Sequence, residues 1–213
     1  MRVGLLVCAA CALVLSAHPA RASDKDNDWD GGYEQKATRR SGFVIGLTAN
    51  AMVGTASGYP NELADLNTPG FRQSTGAAFG SSGKIWIGGA LTDWFTFGLG
   101  ATGVSLNGND RKASGGAFTF HVEGYPLFYQ GGALRDLGAY GEFGAGGMKI
   151  TGGGRQAADG GLMSFASFGV LYEPFKFWQI RTGPSVGYTR MWSQSLTLDA
   201  ALIEWRLTFY GGP

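Results

Sequence analysis

Glycine recurs every few residues along almost the whole of this chain, 37 in 213 positions, far above the usual share of about 7%. That spacing closes off long helices, because each glycine inside one costs about 1 kcal/mol relative to alanine. What survives between the glycines is a period of two, the repeat of an extended strand whose side chains point alternately to opposite faces. Segment 43–53 sets Phe43, Ile45, Leu47, Ala49, Ala51 and Val53 against Val44, Gly46, Thr48, Asn50 and Met52. Segment 94–103 sets Phe95, Phe97, Leu99 and Ala101 against Thr96, Gly98, Gly100 and Thr102. Segment 117–124 sets Phe118, Phe120 and Val122 against Thr119, His121 and Glu123. In 178–189, Trp178, Ile180, Val186 and Tyr188 oppose Gln179, Arg181, Ser185 and Thr189. In 200–209, Ala201, Ile203, Trp205, Leu207 and Phe209 oppose Glu204, Arg206 and Thr208. Weaker alternation marks 83–91, 137–149 and 162–172, which brings the strands to eight, an even number.

The links between strands are polar. Gly54–Gly76, with Pro60, Asn61, Pro69 and Gly70, forms a long loop, and a Thr92-Asp93 turn follows the second strand. Asn107–Ala113 and Thr151–Gly160 are polar again, and Glu173-Pro174 makes a short turn. Gly124–Asp136 is longer than a tight turn and Ser193–Ser195 is short, so these two links break the alternation of loop lengths. Antiparallel neighbours need no crossover helices, so eight strands can join by hairpins alone. Pro184 has no N–H to give a ladder and fits a strand only at a bulge or an unpaired position.

Alternation alone does not say which face meets water; charge placement does. A soluble barrel would cover its outside with Lys and Glu, yet charged residues are only 15% of the chain, and Arg39, Arg40, Glu62, Asp65, Arg111 and Lys112 fall in the head or the loops. The less apolar faces are mostly Gly, Thr and Ser, with His121, Glu123, Glu142, Arg181, Glu204 and Arg206 as a polar network among them. That composition suits a cramped lumen with lipid outside. The expected fold is therefore all-β: an eight-stranded antiparallel up-and-down transmembrane β-barrel over residues 42–213.

The N-terminus agrees with that address. Arg2, the apolar run Val3–Ala17 and Ala20-Arg21-Ala22 make a secretory signal peptide over 1–22, cleaved after Ala22. The run is short of the roughly 20 residues of a membrane anchor, and Cys11 sits too deep in it for a lipoprotein signal. Cleavage removes both cysteines, Cys8 and Cys11, leaving nothing for a disulfide framework. Lys+Arg falls from 17 to 15 with Arg2 and Arg21 while Asp+Glu stays at 16, so the mature net charge is −1 and nucleic acid is excluded as a partner. Residues 23–41 read as a flexible acidic periplasmic segment. Asp26 opens an Asp-x-Asp-x-Asp-Gly run, but position twelve is Ala37 where a calcium loop needs Glu, so no metal site and no cofactor is expected.

With the N-terminus periplasmic, aromatic rings gather at the periplasmic strand ends: Trp94 and Phe95, Tyr125 and Phe128, Phe177 and Trp178, Phe209 and Tyr210. Rings with a polar edge settle at membrane interfaces, so these are the expected anchors. Signal peptide, eight alternating segments, aromatic ends and the final apolar strand "ALIEWRLTF" together resemble the small eight-stranded outer-membrane barrels, the OmpA transmembrane-domain, OmpX and OmpW type, over about residues 42–210. In those families an aromatic-ended last strand is the assembly signal, which implies the barrel-assembly machinery as a partner during insertion. Here Gly211-Gly212-Pro213 follow Phe209 and Tyr210, and Glu204 stands where glycine is common.

His121 is the only histidine left after cleavage and shares a face with Glu123. Lipid A deacylases of this architecture carry Ser two residues after the His, where this chain has Glu123, so the pair reads as a lumenal hydrogen-bond and ion-pair network. The expected function is an integral outer-membrane protein, not an enzyme, with outer-membrane lipid around it and a structural role or an extracellular ligand at loop 54–76. The alternatives are a narrow porin-like channel, a lipid-modifying enzyme built on His121 and Glu123, and a soluble lipocalin-like binder if the exterior is not lipid-covered.

Overall fold

The computed structural model describes residues 40–212 except 63, 109, 131 and 155. The expected signal peptide and the head as far as residue 39 lie outside the described residues. Eight long strands follow one another: β1 (Gly42–Gly58), β2 (Ala78–Thr92), β3 (Phe95–Gly108), β4 (Arg111–Gly124), β5 (Leu137–Gly152), β6 (Met163–Tyr172), β7 (Ile180–Trp192) and β8 (Leu196–Tyr210). Each pairs antiparallel with the next, and β8 returns to pair with β1, so the sheet closes into a barrel. The pairs Gln73–Ser74 and Ala158–Asp159 and the segment Phe175–Phe177 add short ladders at the rims. No helix among the described residues is long and apolar enough to cross a membrane, which leaves crossing by strands untouched.

Stepping across the ladders from Leu47 through Ile85, Ala101, Phe118, Ala145, Ser164, Trp192 and Thr197 returns to β1 at Ser57, a stagger of ten residues. Ten residues of rise against eight strand spacings tilt the strands by about 40° and set a backbone diameter of about 16 Å. A lumen that narrow holds side chains and little else.

The pleat sorts the side chains as the alternation predicts. Leu99, Phe118, Phe143 and Ile203 point outward with more than half of their surface exposed, while Thr96, His121, Glu123, Glu204 and Arg206 point inward and are buried. An apolar outside and a polar inside is the inversion that lipid demands, because no water is available to the outer wall.

The strands run further than the alternation suggested at the end away from the chain termini. Gly54–Gly58 belongs to β1, so the long loop begins at Tyr59 and not at Gly54. The link expected over Asn107–Ala113 shrinks to a two-residue hairpin between Gly108 and Arg111, with Asp110 at the positive φ of +59° that such a turn requires. Here the outward side chains include Ser81, Ser105 and Ser114, as befits wall that stands clear of the apolar belt. The turn after β2 falls at Asp93-Trp94, one residue on from Thr92-Asp93. Pro184 finds its unpaired position: on one side β7 pairs with β6 only from Ser185 onward, on through a register change with Phe175–Phe177 below Gly183, and no ladder partner is asked of the proline there.

Candidate functional site

The lumen is filled along its whole length, in three levels. In the half away from the termini, Met52, Leu106, Ile150, Met163, Met191 and Leu198 interlock with their neighbours as an apolar plug, each 3% exposed or less. Below them Trp86, from β2, lies across the barrel and stacks on the His121 ring at 4.4 Å between centroids. Gly46, on β1, faces the indole so closely that a Cβ there would overlap it, and a Cβ at Gly98 or Gly100 would sit 2.9 Å from Trp86. These lumenal glycines make room for one large ring.

The third level is ionic. His121 Nε2 lies 2.8 Å from Glu123 Oε1, and Nδ1 lies 2.9 Å from Glu142 Oε1. Two carboxylates facing both ring nitrogens are satisfied by an imidazolium, which has two N–H donors. Lys84 bridges Glu142 at 2.9 Å and Glu204 at 3.0 Å. Glu204 also accepts from Ser185 Oγ at 2.8 Å and Asn50 Nδ2 at 3.3 Å, which explains a carboxylate in the last strand. Arg206 pairs with Glu123, and the Tyr125 hydroxyl donates toward Glu123 at 3.1 Å and Glu173 at 2.9 Å. Arg40 closes the mouth: its guanidinium lies 3.5 Å over the Tyr125 ring, 3.1 Å from Asp136 and 3.7 Å from Glu173. Arg181 reaches the same Asp136 oxygen at 3.2 Å. Five buried carboxylates (Glu123, Asp136, Glu142, Glu173, Glu204) face four buried cations (Arg40, Lys84, Arg181, Arg206), and an imidazolium at His121 makes the balance even. Buried charges demand such matching, since an unpaired one costs several kcal/mol.

All six residues expected in the polar network therefore meet in this lower lumen, although Arg181 belongs to the mouth cluster with Arg40 and Asp136. The sequence reading missed Arg40, Lys84, Asp136, Glu173 and Trp86. Arg40, expected within the flexible segment 23–41, is instead fully buried. Its backbone N–H donates to Asp93 Oδ1 at 2.9 Å, which fastens the chain beneath β1.

Of the expected anchors, Trp94 and Phe95 sit together on the outer rim, 5.7 Å apart, and Trp178 sits 6.1 Å from Phe209. Phe177 is 79% exposed. Tyr125 and Tyr210 are not anchors; both are buried in the lumen, with Tyr210 Oη 3.4 Å from Glu173. Phe128 is half-buried against the cluster of Tyr125, Tyr140 and Leu171 and so serves the mouth of the barrel more than the interface. Tyr125 continues the face of His121 and Glu123, and Tyr210 that of Arg206 and Thr208, so the strand period itself carried the signal.

At the opposite end the chain over 59–77 caps the rim. Gln73 is buried there and its side-chain amide donates to the Gln156 carbonyl, while Gln156 Nε2 donates to Glu62 at 2.9 Å. An open cleft of about 640 Å³ lies on this cap, lined by Pro69, Arg72, Ser74 and Arg111. No cluster of His, Cys, Asp and Glu among the described residues is arranged to hold a metal ion.

No protein-family model and no curated protein matches the chain. Among solved structures it is similar to Ail, the attachment invasion locus protein of Yersinia pestis, at 10% identity and a TM-score of 0.49, over 78% of this chain and 98% of that one. Neisserial surface protein A is similar at 11% identity and a TM-score of 0.47, over 78% of this chain and 96% of the other. The outer membrane protein OprG from Pseudomonas aeruginosa is similar at 13% identity and a TM-score of 0.41, over 81% of this chain and 98% of that one. The closed ring of eight strands is the small-barrel architecture that the sequence resembles.

Proposed function

We propose that this chain is an integral protein of the bacterial outer membrane, delivered by a cleaved signal peptide, whose role is structural or carried by its extracellular cap and is not enzymatic. The observation that carries this reading is the filled lumen. The apolar plug, the Trp86–His121 stack and the Arg40 cluster occupy the lumen at successive levels, which argues against a channel. His121 and Glu123 are 3% and 1% exposed and already engaged on every side, which argues against a catalytic pair. What such a barrel presents to the outside is its rim, and loops on a rigid scaffold are where recognition is built. Fractionation with a gel-shift test on unboiled samples examines the membrane part: the protein is expected in the outer-membrane fraction with heat-modifiable mobility, and recovery in the soluble periplasm sinks the proposal. Planar-bilayer recording examines the sealed lumen: flat traces are expected, and reproducible unitary currents count against it.

A further inference from the structure

We draw no further inference here: the strongest candidate, the bare strip that Gly83, Gly103, Gly116 and Gly147 leave as ladder neighbours across the outer face of β2 to β5, is a stripe of small residues and nothing in the structure shows what covers it.

Discussion

Replacing Arg40 with alanine removes a cation that is fully buried at the barrel mouth and touches Tyr125, Asp136 and Glu173 at once. Deleting one partner of a buried ion pair costs about 3–5 kcal/mol, because the other charge stays buried without its counterion. The surroundings set the figure at the low end of that range. Asp136 keeps Arg181 at 3.2 Å, and Glu173 keeps the Tyr125 hydroxyl at 2.9 Å and the Thr208 hydroxyl at 3.1 Å. The backbone bond from residue 40 to Asp93 also survives, since it uses the main-chain N–H. The expected loss is about 3 kcal/mol, which at a typical urea slope moves the unfolding midpoint by about 1–2 M. Tryptophan fluorescence during urea unfolding in lipid vesicles reads the shift. Glu173→Gln in the same background should recover part of it by removing the stranded charge. A midpoint within experimental scatter of wild type, or no recovery in the double variant, would refute the idea that Arg40 is a structural cork.

Gly46→Val should cost about 1–3 kcal/mol by driving the β1 wall into the Trp86 indole; if pairing it with Trp86→Phe gives no relief in the same unfolding assay, the collision is not the cause. His121→Ala should destabilise the barrel by about 3 kcal/mol while leaving the lipid A profile of the host unchanged; an altered profile would revive the enzymatic alternative. The Gly161 N–H, chiefly, and Lys149 hold the Asp159 carboxyl below its ordinary range. That contribution is present above the ordinary carboxylate value of about 3.9 and is lost as pH falls through the lower folded value. Nuclear magnetic resonance should show the Gly161 amide shift titrating with a midpoint below the ordinary carboxylate value of about 3.9 and flat in Asp159→Asn; a midpoint at or above that value contradicts the hydrogen bond.

Strand number was written in the period of two, the hairpin order in the links between strands, and the lipid-facing side in where the charged residues fall. Phe95, Phe97 and Leu99 against Thr96, Gly98 and Gly100 already sorted wall from lumen, because lipid on one side and a cramped interior on the other select residue types strictly. The strand tips were not legible. Past the apolar belt, Ser105 and Ser114 face outward and Leu106 and Ala113 inward, so the polar-in rule reverses and the pattern fades into what reads as loop. The mouth was hidden for another reason. Arg40 lies ahead of β1 and Asp136 and Glu173 on links between strands, where no periodicity tells a buried charge from a solvated one, and their roles exist only once the three segments converge. Tyr125 and Tyr210 failed because an aromatic at a strand end suits either the interface or the lumen, and only the parity of the strand separates the two.

The lower lumen draws partners for the last strand from far back in the chain: Asn50 with Glu204, Lys84 with Glu204, Glu123 with Arg206. None of these pairs can form within a growing sheet of consecutive hairpins. A sheet of seven strands would hold Lys84, Glu123 and Glu142 without Glu204 and Arg206, so Glu123 would lack its arginine and Lys84 one of its two carboxylates on a surface about to lose its water. Adding β8 and sealing it to β1 repairs every one of them in a single event. The ionic core is therefore complete only in the closed ring, and its Asn50–Glu204 bond lies directly across the seam between β1 and β8.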